Sequence, residues 1–276
     1  MATHRCAVLG SPIRHSLSPV LHRAAYDALG LADWAYDAHE VDEAGLAGFV
    51  AGCGPDWVGL SLTMPLKRAV LTLGEPGEVA RIVGAGNTLV FDHGGGPHRV
   101  ENTDVTGMTA ALSRAGVTGA DTALLIGAGA TARSALASLA PLGVRTVSVM
   151  ARSAERAHAS LDPVAAHFGQ RIEVLCWGKL PAVAPQLTVA TAPTALEPGT
   201  AARIAAISPV VFDVVYDPWP TVLGEAALRA GATVLDGMDL LAAQAVDQVR
   251  LMTGREVAVE VLLSAGRAAL AARRAG

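Results

Sequence analysis

The stretch that most constrains the fold runs from Asp121 to Arg133 and reads D-T-A-L-L-I-G-A-G-A-T-A-R. It contains a short apolar run, Ala123 to Ile126, whose length is typical of a buried parallel strand. A G-x-G-x-x-A pattern begins at Gly127, and residues 131–142 are typical of a helix. This order predicts a strand, a glycine-rich turn and a helix that together bind a dinucleotide. The alternative is a tight turn between strand and helix with no ligand.

Each small residue of the pattern has a physical role in such a site. Gly127 lets the chain turn sharply out of the strand, and Gly129 leaves room for a diphosphate to approach the backbone. Ala132 allows the helix to pack closely on the strand. The free N–H groups at the N-terminus of the helix then attract the phosphates.

The residues after the next predicted strand, residues 145–150, bear on the choice of dinucleotide. An NAD-selective site carries an acid there to hold the ribose 2′-hydroxyl. This chain has Arg152 and Arg156 instead, with Ser153 between them. Because a guanidinium group matches the oxygens of a 2′-phosphate, we predict NADP rather than NAD. The alternative is a solvated first turn of a helix, in which Glu155 tempers the positive charge.

Composition narrows the class of protein. The 276 residues carry a formal net charge of −4, and 51% of them are hydrophobic but only 4% aromatic, which suits α/β packing in one large or two ordinary domains. The slight negative charge favours neither nucleic acid nor an anionic membrane as a partner. No apolar run approaches the roughly 20 residues that cross a bilayer, and the N-terminus lacks the apolar segment of a signal peptide. We therefore expect a soluble, cytoplasmic protein.

The cysteines and histidines suggest no metal. Cys6, Cys53 and Cys176 are far apart and form no C-x-x-C pair, so neither a disulfide framework nor a zinc site is indicated. The eight histidines do not cluster at the spacings of metal ligands. We expect buried thiols in a reducing compartment and no bound metal.

Strands and helices alternate along the chain, which predicts an α/β fold with parallel sheets and crossover helices. Ser18 is predicted to cap a helix that has Pro19 at its first position, Pro65 to open a short helix, and residues 92–97 to form a hairpin loop. The predicted strands are residues 6–9, 34–41, 57–62, 89–91, 123–126, 145–150, 172–175, 187–190, 210–215 and 233–235. The predicted helices are residues 18–29, 43–51, 105–115, 131–142, 154–168, 222–230, 240–252 and 257–272.

Polar residues follow several strands of the first half. Because the carboxyl ends of strands line the binding crevice of an open α/β sheet, these residues are candidates to hold a small polyol acid. Each also has a simpler interpretation as a helix cap, a turn residue or a surface lysine. The four clusters are Ser16 with Ser18, Thr63 with Lys67, Asn87 with Thr88, and Asn102 with Asp104.

Six motifs stand in a fixed order along the chain. They are G-S-P-I-R-H-S-L-S-P from Gly10, T-M-P-L-K from Thr63, G-N-T from Gly86, N-T-D from Asn102, D-V-V-Y-D-P-W-P-T from Asp213, and D-G-M-D-L-L-A-A-Q-A from Asp236. Together they resemble the motifs of the shikimate dehydrogenases. Members of that family reduce 3-dehydroshikimate to shikimate with NADPH in aromatic amino-acid (chorismate) biosynthesis. The resemblance covers nearly the whole chain.

The resemblance implies an architecture of two α/β domains with the cofactor between them. The substrate-binding catalytic domain would comprise residues 1–104 plus 239–276. The Rossmann-type NADP-binding domain would comprise residues 105–238. The C-terminal helices would return to the first domain and place Gln244 beside the substrate.

The resemblance also implies roles for individual residues. Lys67 and Asp104 would form the catalytic pair, with the Lys67 ammonium donating a proton to the developing alkoxide and Asp104 holding that ammonium in place. Ser16 and Ser18 would bind the substrate carboxylate. The further substrate contacts would be Thr63, Asn87, Tyr216 and Gln244, and the cofactor contacts Gly127, Ala128, Gly129, Ala130, Thr131, Arg152, Ser153, Arg156 and Gly237.

The chain departs from the common family pattern at several positions, most of them on the cofactor side. Ser61 stands where Asn is usual. The other departures are Ala151 and Ser153 for the Asn and Thr of N-R-T, V-A-T-A at residues 189–192 for N-A-T-S, and Leu240 for Met.

Three other functions remain open at this point. The nearest is a quinate/shikimate dehydrogenase that works oxidatively with NAD, against which Arg152 and the missing acid argue. The second is a non-catalytic NADP-binding sensor, which the retained Lys67 and Asp104 disfavour. The third is a flavin protein with the same glycine pattern. The expected partner is a small-molecule substrate, and the protein would be a monomer or a homodimer.

Overall fold

The first half of the chain forms a sheet of mixed strand direction. The computed structural model describes residues 3–192 and 196–275, and it divides into two compact units, Met1–Gly107 with Leu241–Gly276 and Met108–Leu240. The elements of the first unit are β1 (His4–Gly10), α1 (Ser18–Leu29), β2 (Trp34–Glu40), α2 (Glu43–Ala51), β3 (Trp57–Leu62), a 3₁₀ helix (Ala69–Thr72), β4 (Glu75–Pro76), α3 (Glu78–Val83), β5 (Thr88–Val90), β6 (Arg99–Glu101) and the start of α4 (Thr103–Arg114).

The strand order of this sheet is β2-β1-β3-β5-β6-β4. β1 is parallel to both β2 and β3, whereas β5 is antiparallel to β3 and to β6. The prediction of a parallel sheet therefore holds for β1, β2 and β3 of this unit but not for β5. The reason is the predicted hairpin loop at residues 92–97, because two strands joined by a hairpin must run in opposite directions.

The second unit has the strand order of a dinucleotide-binding fold. Its elements are β7 (Thr122–Ile126), α5 (Ala130–Leu139), β8 (Thr146–Ala151), α6 (Ala154–His167), β9 (Arg171–Cys176), β10 (Leu187–Ala190), α7 (Pro198–Ile207), β11 (Val210–Asp213), α8 (Val222–Arg229) and β12 (Thr233–Leu235). The sheet is parallel throughout its described strands, in the order β12-β11-β10-β7-β8-β9. Counted along this unit, that is the 3-2-1-4-5-6 order of the Rossmann fold, with its switch point between β7 and β10.

Two long helices complete the chain. α9 (Gly237–Thr253) begins in the second unit and continues into the first, and α10 (Val259–Ala275) belongs to the first. Within the described residues, none of the helices is both long and apolar enough to span a membrane.

Helix ends follow local sequence signals in most places. Asp42 caps α2 by accepting a hydrogen bond from the backbone N–H of Gly45 at 2.9 Å. α1 ends at Gly30, whose φ of +68° is the left-handed conformation that glycine adopts without strain.

Two predictions for helix starts are wrong. Ser18 is the first residue of α1 and Leu17 is the capping position, so Ser18 does not cap this helix. The backbone N–H of Ser18 donates to the Ser16 hydroxyl at 3.3 Å. Residues 64–68 form turns instead of a helix opened by Pro65, and the 3₁₀ helix follows them. The short elements α3 and β4, and the Ala-rich α7, were not predicted because their local patterns are too brief or too uniform to indicate a period.

Aromatic rings fill part of the core of the first unit. The rings of His22 and Tyr36 are stacked with centroids 3.9 Å apart, and both side chains are fully buried. The His22 Nδ1 lies 2.9 Å from the Ser18 carbonyl oxygen, while its Nε2 has no hydrogen-bond partner among the described residues. Burial lowers the pKa of His22 to about 4, although the hydrogen bond to Ser18 opposes the shift.

We expect the stability of the first unit to fall in mild acid because of His22. Its pKa in the fold, about 4, lies below the ordinary value of 6.5, so between these values the unfolded chain binds a proton that the folded chain does not. The contribution of neutral His22 to the free energy of unfolding is complete above about pH 6.5. It is lost as the pH falls towards 4, and the total loss is about 3 kcal/mol.

Denaturant unfolding of His22→Phe should show a smaller loss of stability over this pH range than the unchanged protein. His15→Asn, which replaces an exposed histidine of the same unit, should leave the loss unchanged. Equal losses for His22→Phe and the unchanged protein would show that His22 does not cause the acid sensitivity.

A second prediction concerns the contact between α4 and α9. A Cβ on Gly107 would lie 2.6 Å from the backbone nitrogen of Gln244, a distance that side chains do not tolerate. Gly107→Ala should therefore destabilise the protein by about 1–3 kcal/mol despite the higher helix propensity of alanine. Gly48 is the matched control, because it lies in α2 with no atom near its Cβ position. Gly48→Ala should stabilise by about 0.5–1 kcal/mol in the same unfolding assay. Loss of stability in both variants, or in neither, would contradict this account of the contact.

Candidate active site

The loops after β1 and β3 meet at the carboxyl end of the first sheet. Gly10 makes this possible, since a Cβ there would collide with the Thr63 side chain. The backbone N–H of Ser11 donates to the Met64 carbonyl at 3.0 Å, and that of Thr63 donates to the Leu9 carbonyl at 2.9 Å. These hydrogen bonds fix Thr63, a predicted substrate contact, at the carboxyl end of the sheet. Because β1 and β3 are parallel neighbours, the loops that follow them lie side by side there.

Ser16 and Ser18 lie in the loop between β1 and α1 and at the start of α1. Ser18 is buried, whereas Ser16 is half-buried and its hydroxyl accepts the Ser18 N–H. The two hydroxyls are donors that a carboxylate can accept, and the N-terminus of α1 favours a negative charge beside them.

Lys67 and Asp104 form a close ion pair. The Lys67 Nζ donates to Asp104 Oδ2 at 2.5 Å, and only 16% and 6% of the two side chains are exposed. Lys67 is held by its backbone, whose carbonyl accepts the Gly86 N–H at 2.7 Å. Asp104 lies in the first turn of α4, where the helix dipole favours a negative charge. The fold thus brings Lys67 of the T-M-P-L-K motif into contact with Asp104 of the N-T-D motif.

Asn102, rather than Asp104, caps α4. The Asn102 Oδ1 accepts the N–H groups of Asp104 at 3.0 Å and of Val105 at 3.3 Å. Its amide nitrogen donates to the Ala85 carbonyl at 2.9 Å. The Asp104 carboxylate is therefore free of the capping function and faces Lys67.

Asn87 contacts the same carboxylate, and Gln244 contacts Asn87. The Asn87 Nδ2 donates to Asp104 Oδ1 at 2.9 Å, and it lies 3.3 Å from Gln244 Oε1. Gln244 Oε1 also accepts from the Thr103 hydroxyl at 3.2 Å, and Gln244 Nε2 donates to the Leu241 carbonyl at 2.8 Å. Four residues predicted from scattered motifs, Lys67, Asn87, Asp104 and Gln244, are thus connected in one polar cluster, which Thr103 joins without having been predicted.

This arrangement can supply a proton at a defined point. The ammonium is anchored by one carboxylate oxygen and keeps two further N–H groups for a ligand. An arginine could not do this, because a guanidinium keeps its proton at all accessible pH values. The chain contains only two lysines among its 21 basic residues, Lys67 and the exposed Lys179.

The glycine-rich loop of the second unit has the geometry that its pattern predicted. Gly127 has φ +110°, and a Cβ there would lie 2.7 Å from the Thr191 hydroxyl. No atom lies within 4 Å of the Cβ position of Gly129, so its backbone borders open space. The Ser160 hydroxyl donates to the Ala128 carbonyl at 2.8 Å and holds the loop from α6.

A cavity of about 340 Å³ opens beside this loop. Arg152, Ser153 and Arg156 line it together with the glycines, while Ala130 and Thr131 lie in the first turn of α5 and are not part of its lining. Trp177 and Thr191 line it as well and were missed; their only signal in the sequence was a position directly after a strand. The full lining is Gly127, Ala128, Gly129, Ala151, Arg152, Ser153, Arg156, Trp177, Thr191 and Ala192.

The arginines in the lining of this cavity suit an anion. Arg152 and Arg156 are exposed cations, and the N-terminus of α6 lies between them. The Ser153 hydroxyl caps that helix by accepting the Arg156 N–H at 3.3 Å. Because the loop leaves a cradle at Gly129 and the arginines supply a phosphate site, the residues present fit a phosphorylated dinucleotide.

The motif from Asp213 to Thr221 folds as a clip. The Thr221 hydroxyl donates to Asp213 Oδ2 at 2.6 Å, and the Val215 N–H donates to Oδ1 at 3.2 Å. Burial raises the pKa of the Asp213 carboxyl, and these two hydrogen bonds oppose the shift. Tyr216 is half-buried within this clip in the second unit, and its contact with a substrate stays a prediction.

Gly237 follows β12 and approaches the backbone after β11. Its N–H donates to the Val215 carbonyl at 3.1 Å, and a Cβ on it would collide with the Val214 carbonyl oxygen. Its predicted contact with the cofactor also stays a prediction. Across the described part of the chain, no group of three or more His, Cys, Asp and Glu residues has the arrangement of a metal site.

Comparison with known proteins agrees with these features. The family model "Shikimate dehydrogenase substrate binding domain" matches residues 8–89. A curated relative from Methanothrix thermoacetophila, shikimate dehydrogenase (NADP(+)), is 37% identical over 270 residues, which are 96% of this chain and 97% of the relative.

Solved structures extend the agreement to three dimensions. The crystal structure of Mycobacterium tuberculosis shikimate dehydrogenase is 41% identical, with a TM-score of 0.87 over 96% of this chain and 99% of that one. The enzyme from Thermus thermophilus, solved with NADP(H) and shikimate, is 30% identical with a TM-score of 0.82, covering 96% and 99% of the two chains. The predictions of the α/β fold class and of the family are confirmed, and the chain belongs to the shikimate dehydrogenase family.

Proposed function

We propose that this protein is an NADP-dependent shikimate dehydrogenase that reversibly reduces 3-dehydroshikimate to shikimate in the biosynthesis of chorismate and the aromatic amino acids. The observation that carries the proposal is the Lys67–Asp104 pair, held at 2.5 Å beside Asn87 at the edge of the first sheet. Relatives of the same length named for this activity support it, and so does the related structure that contains both ligands.

The substrate would bind to the first unit. Ser16 and Ser18 would hold its carboxylate at the start of α1, while Thr63, Asn87 and Gln244 would contact the ring hydroxyls. Hydroxyl and amide groups suit this task because each both donates and accepts hydrogen bonds, as the ring hydroxyls do. Tyr216 is the one substrate contact proposed from the second unit.

Lys67 would carry the proton transfer. Bound NADPH supplies the hydride that reduces the C3 carbonyl of the substrate. The Lys67 ammonium stabilises the negative charge that develops on the carbonyl oxygen and donates a proton to it. Asp104 holds the ammonium in place and accepts a hydrogen bond from the neighbouring hydroxyl. In the oxidative direction the neutral Lys67 amine takes the proton from the C3 hydroxyl.

The cofactor would bind to the second unit. Residues 127–131 would hold the diphosphate at the start of α5, Arg152, Ser153 and Arg156 the 2′-phosphate, and Gly237 the nicotinamide end. In the domain assignment that follows, residues 1–104 plus 239–276 bind the substrate and residues 105–238 the dinucleotide. The cytoplasm, as a reducing compartment, fits the three free thiols at Cys6, Cys53 and Cys176. A monomer or a homodimer would serve this function equally.

Absorbance of the reduced nicotinamide tests substrate and cofactor together. Purified protein receives shikimate or quinate, each with NADP or NAD, and we expect fast turnover only with shikimate and NADP. Arg152→Ala should raise the KM for NADP about tenfold or more, because a charge-assisted hydrogen bond is lost, and should change the KM for NAD little. Arg229→Ala removes an exposed arginine of α8 and is the control. Comparable turnover with quinate and NAD would indicate the catabolic alternative, and binding without turnover would indicate a sensor.

Lys67→Ala should lower kcat by about 10²–10⁴-fold, because the proton donor is lost while most substrate contacts remain. The KM for shikimate should change only modestly. Lys179→Ala removes the other lysine of the chain, which is exposed on the second unit, and should retain the full kcat. An unchanged kcat in Lys67→Ala would remove Lys67 from the chemistry.

A further inference from the structure

A chain of hydrogen bonds runs through the interior of the first unit and ends at Asp104. The Tyr36 hydroxyl donates to the Ser61 hydroxyl at 2.6 Å, which in turn donates to Gln248 Oε1 at 2.9 Å. The Gln248 Nε2 then donates to the Thr88 hydroxyl at 3.0 Å and to the Asn87 carbonyl at 3.2 Å.

The same chain continues from Thr88 to the catalytic carboxylate. The Thr88 hydroxyl donates to Asn87 Oδ1 at 3.0 Å, and Asn87 Nδ2 donates to Asp104 Oδ1 at 2.9 Å. Tyr36, Ser61, Thr88 and Gln248 are each at most 4% exposed. Since water cannot replace a missing partner at such depth, each link constrains the next one.

All five links run in one direction, each donor pointing towards Asp104. The direction is fixed at Gln248, whose amide has separate donor and acceptor ends, and it is consistent with a Tyr36 phenol that stays protonated because burial raises its pKa. Thr88 accepts from Gln248, so its single proton is directed to Asn87 Oδ1. With Oδ1 occupied, the Asn87 amide nitrogen must face the carboxylate.

We propose that Gln248 is a positioning residue for the reaction, which acts through Thr88 and Asn87 to hold the Asp104 carboxylate in line with Lys67. The proposal rests on the proposed function, because it assigns Asp104 to the catalytic pair. Gln248 itself contacts neither Lys67 nor Asp104 in the described hydrogen-bond network. A rotated Asn87 would present its oxygen to the Asp104 carboxylate, and the resulting repulsion would displace the partner of Lys67.

The discriminating experiment compares two buried glutamines. Gln248→Met keeps the volume but removes every hydrogen bond of the amide, and we expect kcat to fall about tenfold with the KM for shikimate changed less than about threefold. Gln170→Met is the matched control: Gln170 is a buried glutamine of the second unit whose Nε2 donates to the Leu136 and Val144 carbonyls. It should lose stability without loss of kcat. Equal effects of both variants on kcat would overturn the proposal, since they would show only a general cost of instability.

Thr88 supplies a second test that perturbs the core less. Thr88→Val has the same shape but no hydroxyl. It should lower kcat, although the N–H and the hydroxyl of Thr103 still donate to Asn87 Oδ1. Thr88→Ser restores the hydroxyl and should recover most of the lost kcat. If Val and Ser at this position behave alike, the hydroxyl does not transmit the orientation.

The side-chain amide of Asn87 gives a readout that does not depend on turnover. In the unchanged protein its NH₂ protons should exchange slowly with solvent in ¹⁵N-resolved NMR spectra, and in Gln248→Met they should exchange at least about tenfold faster. Unchanged protection would contradict the role of Gln248. Should the unchanged protein fail to oxidise shikimate, the proposed function would fall, and the Asn87 exchange rates would still decide whether Gln248 orients that amide.

Discussion

The site depends on one carboxylate, that of Asp104, because both of its oxygens have assigned partners. One accepts from the Lys67 ammonium and the other from the Asn87 amide, and the backbone N–H of Asp104 itself is bound by Asn102. A buried charge is stable only when it is paired and hydrogen-bonded, and the fold supplies both kinds of partner to this carboxylate. The N-terminus of α4 also stabilises this carboxylate, because the helix dipole favours a negative charge in the first turn. The folded unit therefore orients the Lys67 ammonium, the proposed proton donor, before any substrate binds.

The two units arrange residues at the carboxyl ends of their strands in different ways. In the first, β5 and β6 form an antiparallel hairpin, and glycines at positions 10 and 86 leave room for the side chains of Thr63 and Val100. In the second, an all-parallel sheet leaves a crevice at the switch point between β7 and β10, where Gly127 turns beside Thr191. The first arrangement brings together one carboxylate, two amides and an ammonium, and the second leaves the glycine-rich loop and two exposed arginines beside a cavity.

Much of the candidate site was predictable from the sequence, because it depends on short local patterns of residues. The glycine pattern after β7, the hydroxyl and amide motifs and the paired arginines each depend on a few neighbouring residues. What could not be predicted depends on distant contacts or on very short elements. Gln248 bonds Ser61 across 187 positions, and no local pattern links them. In the sequence Ser61 is only a departure from the family pattern, which does not indicate the partner of its hydroxyl. Trp177 and Thr191 join the cavity only through the order of the strands, and the turns at residues 64–68 lack the length that a helical period needs.

The measurement that tests the central claim most directly is a double-mutant cycle on kcat with Lys67→Ala, Asp104→Asn and the variant that carries both. If the ammonium and its carboxylate act as one unit, the double variant should turn over at about the rate of Lys67→Ala alone, within about threefold. If the two losses multiply instead, Lys67 and Asp104 contribute independently, and the account of a single preorganised pair would be wrong.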